Sequence, residues 1–245
     1  MQDHPARGRR SVLKALTVGL PGAAWAGRAH GAPQPSPPPD PAGAGRTLRF
    51  FNPREAAAMD AIAARLIPAD ELGPGAREAG ATYFLDGQLA GAWGAGDQFY
   101  RQGPFHEGTP EQGYQLSFTP AEMMRRGLAA LDEACRQRDG KPYAELSAER
   151  QDAWLRAMQE GEADFSPLPS AVFFQALLQA TIEGFFSDPL YGGNRDMVGW
   201  KLVGFPGAYA SFSNDIERHG VQWAGQPVSI AMAKPHAAHQ EEEHG

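Results

Sequence analysis

The side chains able to do acid–base or metal chemistry in this 245-residue chain are few and scattered. Of seven histidines, His4 and His30 fall near the start and His236, His239 and His244 near the end, leaving His106 and His219 for the body of the chain. Either could act as a general base beside Asp188 or Asp196, but no spacing pairs them. The carboxylate pairs Asp70–Glu71 and Glu160–Glu162 read as ordinary helix-end charge, and His236-x-x-His239 as a weak metal motif in an acidic tail.

The single cysteine, Cys135, excludes an intramolecular disulfide and any multi-cysteine metal or cluster site. Its spacing from Leu128 and Leu131 places it on an apolar helix face, as a buried structural thiol rather than a nucleophile. Covalent haem attachment needs Cys-x-x-Cys-His, which the chain lacks. No Gly-x-Gly-x-x-Gly follows a strand, and neither a phosphate-binding loop nor a Gly-x-Ser-x-Gly elbow is present. No catalytic, cofactor-binding or metal-ligating residue is therefore assigned.

The elements that would have to position any site are mainly helical. Asn52-Pro53-Arg54-Glu55 is a complete helix start, with a capping side chain, proline in the first turn and glutamate at N3. Met59, Ile62, Ala63, Leu66 and Ile67 follow at helical spacing until Pro68 stops the run. A second helix is predicted over Ala76 to Leu89, after the turn Gly73-Pro74-Gly75. Thr119-Pro120-Ala121-Glu122 repeats the start signature and opens a helix through about Arg138. Ser147 is expected to cap a shorter helix carrying Trp154, Leu155 and Met158. From Ser170 to Phe186, apolar residues encircle most of a helix, which must be buried in the core or under a partner. Gln175, Gln179 and Glu183 interrupt it too often for a membrane span. Gly91 to Ser117 is a long Gly/Pro-rich connection, and the one candidate strand is Tyr114 to Phe118. The fold class is mainly α, a single irregular helical domain with long Gly/Pro-rich loops.

The 42% apolar content suffices for one core, and the formal charge is −7. The first 32 residues hold five basic side chains and one acidic one, leaving 17 basic against 28 acidic beyond them. That acidity argues against nucleic acid or an anionic membrane surface as partner. Residues 1–32 read as an export signal: Arg7-Gly8-Arg9-Arg10-Ser11-Val12-Leu13-Lys14, a short apolar stretch from Ala15 to Ala26, and small residues around Ala24-Trp25-Ala26. The pair Arg9 and Arg10, with Leu13 and Lys14, resembles a twin-arginine (Tat) signal; an ordinary secretory signal with incidental arginines is the alternative. Residues 33–46 are a proline-rich linker, 47–230 the domain, and 231–245 an acidic, histidine-bearing tail. Twin-arginine export carries folded proteins, typically ones that acquire a cofactor first, yet the domain has no cofactor motif. The signal therefore suits a partner.

The segment from Asp188 to Gly207 packs five glycines, two prolines and three aromatics into twenty residues. Fixed turns and rigid rings suit surface contact better than chemistry. The candidate interface residues are Asp188, Pro189, Tyr191, Gly192, Gly193, Asn194, Trp200, Lys201, Phe205 and Pro206, with Tyr191, Trp200 and Phe205 as anchors. The plain alternative is a set of turns around a small aromatic core.

Three places together resemble the small (gamma) subunit of the membrane-bound, flavin-dependent gluconate 2-dehydrogenases and their relatives for other sugars. They are the twin-arginine start; Phe50-Phe51-Asn52-Pro53 with Leu66-Ile67-Pro68-Ala69-Asp70 and Gly73-Pro74-Gly75-Ala76; and Gly184 to Asn194 through Gly199-Trp200-Lys201 and Gly204-Phe205-Pro206-Gly207. The resemblance spans about Thr47 to Ser211. It implies a non-catalytic accessory subunit assisting the stability and Tat export of a large subunit of the glucose-methanol-choline type, which holds FAD. It further implies a multihaem cytochrome c subunit as membrane anchor, no cofactor in this chain, and a periplasmic location with membrane association through partners. A stand-alone periplasmic enzyme or metal-binding protein using His106 and His219 is the alternative, and a small-molecule binding module a third reading.

Overall fold

The computed structural model describes residues 47–97, 99–106, 108–109, 115–208, 217, 219–220 and 225–232. The export signal with Arg9, Arg10, Leu13 and Lys14, the proline-rich linker and residues 233–245 of the tail lie outside the described residues.

Helix α1, Pro53–Leu66, starts as its sequence dictates. Asn52 Oδ1 accepts from the backbone N–H groups of Arg54 and Glu55 at 3.0 Å each, while Asn52 N–H donates to Glu55 Oε2 at 2.9 Å. All three backbone donors are thereby satisfied. Helix α2 is shorter than predicted, Ala81–Leu89, because Gly80 sits in the left-handed region at φ +81° and breaks the run. Residues 76–80 wind instead as hydrogen-bonded turns, with Ala76 N–H donating to Ile67 O and Ala79 N–H to Gly75 O.

The long connection expected from Gly91 holds a one-turn helix α3, Ala92–Ala95. The predicted strand is not formed by its described residues 115–118. Leu116 and Phe118 pack on the helical core instead, with Arg126 stacked over the Phe118 ring at 5.0 Å. An alternating pattern without a neighbouring strand has nothing to pair with.

Helix α4, Pro120–Asp139, carries the second capping box, between Thr119 and Glu122. Met123, Met124, Leu128, Leu131 and Cys135 are buried along it. Helix α5, Ala148–Gln159, begins after Ser147 as expected, but the Ser147 hydroxyl accepts no hydrogen bond from the first helical turn. Helix α6, Ser170–Phe186, is the axis of the fold: α1, α2, α4 and α5 all pack against it. Phe173, Leu177, Thr181 and Phe185 are fully buried and Val172, Leu178, Ile182 and Phe186 partly so, which explains why apolar residues surround it. Helix α7, Val198–Val203, closes the set. Among the described residues there are no strands, only the isolated bridges Asp70–Gly73 and Gly207–Val228.

Two buried carboxylates fasten non-helical chain to this core. Asp86 on α2 accepts from the backbone N–H groups of Arg49, Phe50 and Phe51 at 2.8, 3.0 and 2.8 Å. Asp188, just past α6, accepts from Leu190 N–H and Ile230 N–H at 2.8 Å each and from the Ser229 hydroxyl at 2.7 Å.

Cys135 is fully buried, as its helix position requires, and desolvation pushes its thiol up to about 12. The native protein is expected to resist a thiol reagent at pH 8 under conditions that label the urea-unfolded chain to completion. Rapid labelling of the folded protein, followed by mass spectrometry, would contradict that burial.

Candidate docking segment

The end of α6 sets the geometry of the residues that follow. Ser187 turns its hydroxyl back to Gly184 O at 3.2 Å, and Asp188 caps a 3-10 turn, Pro189–Tyr191. The chain then folds back onto α6 so closely that a Cβ on Gly193 would lie 2.1 Å from Gly184 O. No larger residue fits there without moving backbone.

Asn194 is the keystone of the segment. It is fully buried with φ +44°, its backbone N–H donates to Gly184 O at 2.9 Å, and its side chain bridges two strands of loop. Nδ2 donates to Ser187 O at 2.9 Å and Oδ1 accepts from Gly199 N–H at 2.8 Å. Asp196 and Met197 also adopt left-handed backbone, at φ +57° and +55°. Three such non-glycine residues within four positions persist because surrounding contacts over-determine them. Arg195 N–H, between them, donates to Ala79 O at 2.9 Å and ties the loop to the turn before α2.

Trp200 sits on α7 with 6% of its surface exposed, and its Nε1–H donates to Phe186 O at 2.8 Å. Phe205 packs edge-on against the indole, with ring centroids 5.2 Å apart at 76°. The segment thus divides into two sets. Asp188, Gly193, Asn194 and Trp200 are buried and build the loop from inside; Pro189, Gly192 and Pro206 are partly covered; Tyr191, Lys201 and Phe205 face outward. Of the three aromatic anchors, Trp200 belongs to the domain's own core, whereas Tyr191 and Phe205 are 44% and 46% exposed. The buried indole N–H needs an acceptor, and the last carbonyls of α6 supply one.

Three further outward-facing residues were not among the candidates: Val203, Ile230 and Met232. Their signal lay in Val203 before Gly204 and in the alternation Val228-Ser-Ile230-Ala-Met232. Ala231 and Met232, assigned from sequence to the tail, belong to a turn in which Met232 N–H donates to Ser229 O at 2.9 Å.

His106 and His219 are both exposed. Among the described residues, no group of three or more His, Cys, Asp or Glu side chains could hold a metal ion. An open depression along α5, beside the C-terminal end of α4, is lined by Arg138, Arg150, Trp154, Arg156 and Glu160. Asp139 occupies Arg150 and accepts from Trp154 Nε1–H at 2.8 Å, so much of its charge is already matched. No described helix is long and apolar enough to cross a membrane.

The fold is a helical core with a tightly hydrogen-bonded loop segment whose outward side chains include Tyr191, Lys201 and Phe205. Gluconate 2-dehydrogenase subunit 3 is the family whose pattern matches residues 53–207, and the chain belongs to that family. As a subunit by family, it implies partner subunits in an assembly. No curated protein and no solved structure matches the chain.

Proposed function

We propose that this protein is a non-catalytic accessory subunit that binds, stabilises and escorts an FAD-dependent sugar or sugar-acid dehydrogenase of the glucose-methanol-choline type. The observation that carries the reading is the 188–207 platform. Its backbone is held by Asn194 and Trp200 from within, while Tyr191, Lys201 and Phe205 are left outward. Rigid aromatics displayed on fixed backbone lose little entropy on binding, which is what a docking surface needs. Family membership supplies the partner class, a gluconate-type dehydrogenase assembly.

In this proposal the twin-arginine signal exports the pair. The large subunit acquires FAD in the cytoplasm, folds, docks on this chain and crosses to the periplasm with it. A multihaem cytochrome c subunit then holds the complex at the membrane and takes its electrons. The flavin and haem chemistry belongs to those partners; this chain contributes binding surface and export signal.

Replacing Arg9 and Arg10 by lysines is expected to strand both subunits in the cytoplasm, with periplasmic dye-linked dehydrogenase activity falling at least about tenfold. Unchanged export of the large subunit from that variant, or from a strain lacking this chain, would overturn the proposal.

A further inference from the structure

The family match ends at residue 207, yet the chain beyond it returns to the same face. Val228 N–H donates to Pro206 O at 3.0 Å, and Ala208 N–H to Val228 O at 2.6 Å. Ser229 Oγ and Ile230 N–H then reach the buried Asp188 carboxylate. These four hydrogen bonds lay residues 228–230 beside the platform, and the residues that follow on the exposed side, Ile230, Ala231 and Met232, are all apolar. Ile230 is 51% exposed and Met232 64%.

Exposed large apolar side chains are not scattered evenly over the molecule. Five of the eight among the described residues, Tyr191, Val203, Phe205, Ile230 and Met232, lie on these two adjoining segments. Single exposed apolar residues need no explanation, but a concentration on one built surface marks a contact site.

We infer that residues 228–232 form a second strip of the docking face. In this arrangement Ile230 and Met232 enter an apolar depression on the folded flavoprotein. This rests on the accessory-subunit reading above. Three considerations select that occupant. Two or three side chains of this size supply only about 200–300 Å² of contact, well under the roughly 800 Å² per partner of a stable stand-alone interface. The strip therefore extends a larger surface, the platform it is bonded to, rather than founding a dimer of its own. The sequence beyond Met232 carries Glu241, Glu242 and Glu243 against Lys234, so an anionic lipid surface would be repelled and a basic protein margin attracted. Methionine, unbranched and polarisable, adapts to an irregular apolar pocket and suits such a contact.

The test uses the tagged full-length chain produced in its native host and isolated in mild detergent, with the large subunit quantified by bound flavin fluorescence and identified by mass spectrometry. The double variant Ile230→Glu, Met232→Glu is expected to lose at least tenfold in co-purified flavoprotein while its own melting temperature stays within two or three degrees of wild type. Retention of the flavoprotein by this variant, together with its loss from Tyr191→Glu, Phe205→Glu, would overturn the second strip and leave the accessory-subunit reading standing. Failure of the wild-type chain to bring down any flavoprotein would sink that reading and the inference together. A wild-type chain that sediments alone as a dimer, broken by the double variant, would assign the strip to a second copy and overturn the inference. A large drop in melting temperature would do so as well, by showing that the strip is covered by the chain itself.

Discussion

Asn194→Ala is expected to destabilise the protein by about 3–5 kcal/mol, the largest effect of any single polar replacement in the described structure. The substitution removes the donor to Ser187 O and the acceptor of Gly199 N–H, the latter buried. A buried polar group left without a partner costs about 1–3 kcal/mol. Alanine must also hold φ +44°, which disfavours an L residue without a local polar side chain by about 1–2 kcal/mol. Asn194→Gly separates these contributions: it accepts the backbone angle but makes neither bond, and should recover about 1 kcal/mol. Urea unfolding followed by far-ultraviolet circular dichroism measures both. A loss below about 1 kcal/mol for the alanine variant would show that the loop is held by its neighbours and not by this side chain.

Asp86→Ala is expected to cost about 3 kcal/mol and to release residues 49–51. Three backbone donors converge on this carboxylate, and hydrogen bonds to a charged acceptor contribute about 1.5–3 kcal/mol each. The full sum will not be lost, because Arg49 is exposed and can turn its N–H to water, whereas Phe51 is buried and cannot. The ring of Phe50, stacked under Arg125 at 4.1 Å, and the bond from that guanidinium to Phe50 O at 2.7 Å retain part of the segment's order. Asp86→Asn should fall between the two. Its remaining oxygen can serve Phe50 and Phe51, while the amide nitrogen meets the Arg49 donor head-on. Hydrogen exchange at residues 49–51 gives the local readout, and protection unchanged in the alanine variant would refute the assignment.

The parts of this fold that were legible in the sequence are those determined within a few residues. Asn52 with Glu55, and Thr119 with Glu122, start helices by contacts three positions apart, and both form as read. The apolar girdle of Ser170–Phe186 forced a central position for α6 whatever surrounded it. Gly80 was less readable, since a glycine inside a helical pattern does not announce a left-handed break. The position is also crowded from far along the chain, since Gly192 O would lie 3.2 Å from a Cβ at position 80. Ser147 looked like Asn52 and Thr119 but makes no equivalent bond.

In the candidate segment, residue types marked the region correctly as irregular and turn-rich, but not which side chains turn inward. That sorting depends on left-handed backbone at Asp196 and Met197 as well as Asn194, and methionine has no local chemistry that favours it. It also depends on partners far along the chain. Asp188 meets Ser229 and Ile230 over forty positions away, and Asp86 meets Arg49 at a separation of 37. Composition carries no trace of such pairings.

The two carboxylate clips have a consequence for how this molecule comes apart. Residues 49–51 and 228–230 lie outside the helices, and in each a buried carboxylate gathers the backbone donors, alongside the buried Phe51 ring at one edge and the Val228 bonds to Pro206 and Ala208 at the other. Loss of either carboxylate is therefore expected to make opening at that edge easier than global unfolding, while the α1-to-α7 body stays closed. The C-terminal margin carries Ile230 and Met232, so whatever binds them also suppresses its fraying, and part of the affinity for that partner would be registered as order gained at the edge of the fold.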